Sequence, residues 1–157
     1  MAVPVPVSAS RSFDVKAAPE EVYALLSNVP EAIRHFPKVE RLEDLGGGKY
    51  RRVMEKTGVG KASIQIEYDS QYSFDPANRT VSWAPVPGAG NGQVGGTWTI
   101  QPRPDGGSHL ELSTSGELDL PVSKMLAGAV KGPVAKEFEH TMDTYVQNLT
   151  QAFGGPA

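Results

Sequence analysis

The chain has 157 residues, enough for one domain that buries roughly 70% of the surface its unfolded form exposes. Fifteen basic and 18 acidic residues leave a formal net charge of −3, and no segment gathers Lys and Arg into a phosphate-tracking surface, which argues against a nucleic-acid partner. Cysteine is absent, so disulfides, thiolate nucleophiles and Cys-ligated zinc are excluded.

The opening MAVPVPVSAS has neither a basic start nor an apolar run of signal length, and nothing later reaches the ~20 apolar residues of a membrane span. A soluble, cytoplasmic protein without integral membrane association is expected, with a single domain over residues 1–157, a core from about 9 to 153 and frayed Pro- and Gly-containing ends. Phe13 and Val15 alternate as the inward residues of a first strand. Pro19, followed by Glu20 and Glu21 in a positively polarised first turn, opens a helix whose Val22, Leu25, Leu26 and Val29 share one face. Asn28 and Glu31 have capping-box spacing for a second short helix that carries Ile33 and Phe36 and stops before Pro37.

Residues 38–56 read as two strands around Gly46-Gly47-Gly48. Their facing is open: one choice turns Tyr50, Arg52 and Met54 inward, the other buries Val53 with Arg51 and Glu55. The plainer reading leaves Arg52 a solvated strand-face charge. If inward, its guanidinium needs a carboxylate, carbonyls or an anionic ligand group.

Residues 63–74 alternate most clearly, with Ile64, Ile66, Tyr68, Tyr72 and Phe74 on the buried face of one strand. Val81 and Trp83, then Trp98 and Ile100, then Leu110, Leu112 and Leu118 continue the pattern in strands that are antiparallel by preference. Thr57-Gly58-Val59-Gly60, Asp75-Pro76-Ala77-Asn78 and Pro104-Asp105-Gly106-Gly107 supply turn chemistry between them. The stretch Gly88 to Gly96 contains a G-x-G-x-x-G, but strand patterns lie on both sides and no helix start waits to receive a phosphate. It reads as a glycine-rich hairpin connection, with Val86 and Val94 as exposed apolar points. Val130, Val134, Phe138, Met142, Tyr145, Leu149 and Phe153 recur every three or four residues, which predicts a helix over 134–150. Pro133 leaves residues 122–132 as either a separate turn of helix or a kinked entry.

One strand, two short helices, about six further strands and a long last helix make an α+β arrangement in which a curved antiparallel sheet of about seven strands wraps a C-terminal helix. That order resembles the helix-grip fold of the START-like superfamily. The segment AAPEEVYALLSNVPEAIRHFPKVERLEDL is similar to the opening of the polyketide cyclase/dehydrase and coenzyme Q-binding group, with its Pro-led helix, short second helix, Phe36-Pro37 pair and strand from Val39. Ala18 departs from the small hydroxylated cap residue usual there. The resemblance implies a cavity between sheet and helix for a lipid, polyketide, quinone or similar apolar molecule.

The large inward residues Tyr68, Tyr72, Trp83, Trp98, Phe138, Met142 and Tyr145, with Arg52, are the candidate ligand-binding set. Carriage of a small apolar ligand is the leading expectation, without cofactor or metal. A cyclase, aromatase or dehydratase using the same cavity is the rival, with Arg52, Tyr68, Tyr72 and His35 as catalytic candidates. A partner- or membrane-docking module acting through the glycine-rich stretch is a third reading. Glu137-x-x-His140 is half of a di-iron pattern with no second copy. The oligomeric state stays open.

Overall fold

A computed structural model describes residues 3–59 and 62–157. In chain order the elements are β1 (Val3–Val15), α1 (Pro19–Ser27), α2 (Val29–Ile33), β2 (Val39–Gly46), β3 (Lys49–Met54), β4 (Thr57–Val59), β5 (Ala62–Ile64), β6 (Glu67–Asp75), β7 (Thr80–Gly90), β8 (Gly92–Pro102), β9 (Ser108–Leu120) and α3 (Lys124–Ala152). Seven strands form one curved antiparallel sheet in the order β1-β9-β8-β7-β6-β3-β2, and β4 and β5 form a separate ribbon. Wrapped against α3, this is the helix-grip arrangement that the element order predicts.

The local signals act as expected where they are strongest. Pro19 begins α1, which buries Val22 and Leu26, and Ala18 provides no side-chain cap. Asn28 Oδ1 accepts the Glu31 amide at 3.5 Å to start α2, and Ser123 Oγ accepts the Leu126 amide at 3.3 Å to start α3. Pro133 lies inside α3, which runs through it unbroken. The residue is exposed, so the Ala129 carbonyl it leaves free is within reach of water.

Several expectations need correction. The core begins before residue 9: among the described residues β1 starts at Val3 despite Pro4 and Pro6, and Val5 and Val7 are buried against β9. Those prolines are tolerated because β1 is an edge strand with a partner on one side only. At the other end, Lys16 and Ala17 donate to the carbonyls of Gly155 and Phe153 at 3.1 Å. The alternating stretch 63–74 is not one strand. It divides into β5 and β6 at Gln65-Ile66, where the Asn91 side chain accepts the Glu67 amide and donates to the Gln65 carbonyl, both at 2.8 Å, replacing lost ladder bonds. Phe74 is 42% exposed, because α1 lies over β7 and β8 and leaves the end of β6 bare; its ring rests on Tyr72 instead. Thr57–Val59 is strand, not turn, and Gly60 of that motif lies outside the described residues.

The glycine-rich stretch is itself mostly strand, with β7 and β8 meeting at Asn91. At Gly96 a Cβ would stand 2.5 Å from the Trp83 ring and 2.6 Å from the Ser113 carbonyl, so glycine there makes room for an indole. Val94 is buried, contrary to its reading as an exposed docking point, because β8 turns it inward opposite Gly116.

The core has two centres. Under α1, α2 and the second half of α3 lie Leu26, Val29, Val81, Trp98, Leu110, Tyr145 and Leu149. At the other end Val5, Val7, Ile64, Val94, Leu118, Leu120 and Val122 form a smaller cluster. Over this second cluster the helix packs less completely: from Lys124 to Thr141 only Ala127 is buried, and Val130, Val134 and Phe138 rest half-buried against the cluster. The site lies in this loosely filled region.

Candidate functional site

Between the first half of α3 and the sheet lies an open cavity of about 580 Å³. Val130, Val134 and Phe138 of α3 form one wall; Val94, Leu118 and Leu120 of β8 and β9, with Ile64 and Ile66, form the other. Its lip carries Lys38, Glu55, Thr57 and Glu137, and Lys38 Nζ pairs with Glu137 Oε1 at 2.7 Å, joining the α2–β2 connection to α3. The volume falls within the range of small-molecule sites, and the walls are mostly apolar.

At its deep end, Phe36, Tyr68, Val94, Phe138 and Met142 also border an inner pocket of about 30 Å³. Arg52, Tyr72, Trp83, Trp98, Thr114 and Tyr145 complete the inner pocket's polar and aromatic lining, and every residue of the candidate ligand-binding set borders it. The inner pocket has room for a water or for the polar end of a larger ligand.

The strand register puts Arg52 there. Arg52 pairs directly with Tyr68 across β3 and β6, and Tyr50 pairs with Ser70, so the parity that turns Tyr50 and Met54 toward the core turns Arg52 with them. Arg52 is 8% exposed, which corrects the solvated reading. Its guanidinium donates to the Tyr68 hydroxyl at 2.9 Å and the Tyr72 hydroxyl at 3.2 Å, and lies 4.6 Å from the centre of the Phe36 ring. Among the described residues it has no carboxylate partner, and its Nε finds no acceptor. The neighbouring Arg51, on the opposite face, is the one that takes a carboxylate, with Asp69 Oδ1 at 2.9 Å. A buried cation held by phenols alone still has electrostatic demand to meet.

Burial pushes the Tyr145 phenol well above its ordinary value. It does the same to Tyr72, against the opposing pull of the Arg52 charge. Both therefore stay protonated near neutral pH, as hydrogen-bonding groups and not as bases. His35 borders neither chamber; its carbonyl accepts the Asn148 side chain at 2.8 Å. Among the described residues no group of three or more His, Asp and Glu side chains converges, and Glu137 is engaged by Lys38. Phe36 and the cavity residues Val94, Leu118, Leu120, Val130 and Val134 are outside the candidate set; Phe36 meets Arg52, sixteen residues later in sequence, through the α2–β2 connection, a purely tertiary contact.

Solved structures share this architecture. A protein of Thermus thermophilus is 21% identical, with 93% of this chain and 94% of that one covered and a TM-score of 0.66. A START superfamily protein from Mycobacterium smegmatis is 15% identical over 94% and 97% of the two chains, with a TM-score of 0.69. The Zhui aromatase/cyclase from Streptomyces sp. R1128 is 18% identical over 95% and 90%, with a TM-score of 0.57. No curated protein matches the chain. The family model described as polyketide cyclase / dehydrase and lipid transport matches residues 6–154, nearly the whole length. With the wrapped sheet, the gripped helix and the cavity between them, the chain belongs to the polyketide cyclase / dehydrase and lipid transport family.

Proposed function

We propose that the protein binds and carries a small, mostly apolar molecule whose single anionic or carbonyl group is received by Arg52. The observation that carries this reading is the buried guanidinium without a carboxylate, bordering a small inner pocket that shares Phe36, Tyr68, Val94, Phe138 and Met142 with a large apolar cavity. The apolar body fills the outer chamber, and the polar end reaches the Arg52, Tyr68 and Tyr72 cluster through the constriction at Phe138 and Met142. Binding is favoured over cyclase or dehydratase chemistry because no carboxylate or imidazole borders the inner pocket, and its raised phenols are poor bases. We place the protein in the cytoplasm, a setting supported by the absence of cysteine; among the described residues no helix is long and apolar enough to cross a membrane.

The test is a titration with a fluorescent long-chain fatty acid and with its methyl ester. Wild type is expected to bind both saturably and to prefer the acid by about tenfold, the scale of one charge-assisted contact. Arg52→Leu keeps the ester and loses the preference. Absence of saturable binding to either probe overturns the reading. Turnover of a polyketone that Arg52→Leu abolishes without loss of affinity favours the enzyme instead.

A further inference from the structure

The most exposed large apolar side chains among the described residues are adjacent: Met125 is 91% and Leu126 54% exposed, in the first turns of α3. Leu126 precedes Ala129, Val130 and Pro133 by three, four and seven residues, so it continues the stripe of the helix that lines the 580 Å³ cavity. The apolar edge thus opens onto the cavity mouth. Its charge is distinctive too. From Pro121 to Lys136 the chain carries Lys124, Lys131 and Lys136 with no acidic residue, in a protein whose overall charge is −3, and all three lysines are exposed. At the mouth itself the acidic residues are matched, Glu137 by its ion pair with Lys38 and Glu55 by the adjacent exposed Lys56, so the lysines of α3 set the local sign.

Apolar side chains that project beside long flexible cations match the boundary of an anionic bilayer, where the former enter the acyl region and the latter reach the headgroups. A second copy of the chain is a poorer occupant, because a two-fold contact through this patch would set the same lysines against each other. We propose that the first turns of α3 dock the protein on an anionic lipid surface, with the cavity mouth against the membrane. The inference rests on the carrier reading for the purpose of docking, but docking is measurable without any cargo.

The experiment is co-sedimentation of the ligand-free protein with vesicles of phosphatidylcholine alone and of phosphatidylcholine mixed with phosphatidylglycerol. Wild type is expected to sediment with the mixed vesicles, less so as salt is raised, and to stay in solution with the neutral ones. Met125→Ser with Leu126→Ser, and separately Lys124→Gln with Lys131→Gln, are expected to lower partitioning by at least about tenfold. Leu45→Ser, an exposed apolar change on the β2–β3 hairpin, leaves it unchanged. Circular dichroism verifies that the variants fold. Failure of wild type to sediment, indifference to both double variants, or a dimer in gel filtration that Met125→Ser with Leu126→Ser dissolves, overturns the proposal. Fatty-acid titration in vesicle-free buffer separates the two readings: vesicle binding without fatty-acid binding sinks the carrier and leaves docking, and the reverse sinks docking alone.

Discussion

Arg52 is buried with its hydrogen-bonding capacity only partly met. Two phenols and an aromatic ring offset part of its desolvation, yet Nε is left without a partner, as is the buried Ser70 hydroxyl on the facing strand. Replacing a buried, incompletely paired charge by an apolar residue of similar volume is often neutral or stabilising by about 1–4 kcal/mol. Arg52→Leu is therefore expected to unfold at equal or higher denaturant than wild type without ligand, while losing the acid preference described above. Equilibrium urea unfolding checks this. A marked loss of stability would mean that the arginine holds β3 to β6, with ligand reception a secondary matter.

Between elements, the edge of the sheet carries a titrating clasp. Asp14 on β1 accepts from His109 Nδ1 on β9 at 2.6 Å and pairs with Arg103 at 2.7 Å. The hydrogen bond with Asp14 holds the imidazole above its ordinary value; the same bond, then the Arg103 charge, holds the carboxyl below its own. The raised imidazole stabilises the fold fully below its unfolded value near pH 6.5 and loses that contribution as pH rises through the folded value. The depressed carboxyl contributes above about pH 3.9 and loses its share as pH falls through its folded value. The clasp is thus strongest between about pH 4 and pH 6.5. Wild type should lose stability between about pH 6 and pH 9 relative to His109→Gln, by a small amount since both side chains are about a third exposed and screened by water. Parallel slopes in urea unfolding across that range would show that the pair contributes nothing. Legibility in the sequence is uneven among the elements. The apolar repeat of α3 and the Pro-led start of α1 are local signals and plain, whereas the break between β5 and β6 depends on Asn91, a distant residue that satisfies the backbone there.

At the scale of the whole molecule, the open chamber is what distinguishes a carrier from a filled core. Val130→Phe combined with Val134→Trp adds bulk from the helix wall into that space. Because the added surface enters a void, and burying it contributes about 25 cal/mol per Å², thermal stability should be kept or raised. Affinity for the fluorescent probe should fall at least about tenfold. Severe destabilisation of this variant, as overpacking produces, would show that the walls already touch.

From the sequence alone follow most elements and their order, the β4–β5 ribbon excepted: alternation marks the strands, the three-and-four repeat marks α3, and the family resemblance rests on residues 13–45, where helix starts and the Phe36-Pro37 pair are dense. These are properties of periods and turns, which act over a few residues. Tertiary structure alone decided the facing of Arg52, because the parity of one strand is chosen by its neighbour's register and every side chain reverses with a one-residue slip. It also decided that Lys16 and Ala17 tie down the segment after α3, that Val94 lines a cavity, and that the first half of α3 packs on the sheet only partly, leaving the cavity beside it. A cavity is a distance between surfaces, and the same apolar stripe that is fully buried at Tyr145 and Leu149 is only half-buried at Val130 and Val134, which touch the second cluster and also line the cavity.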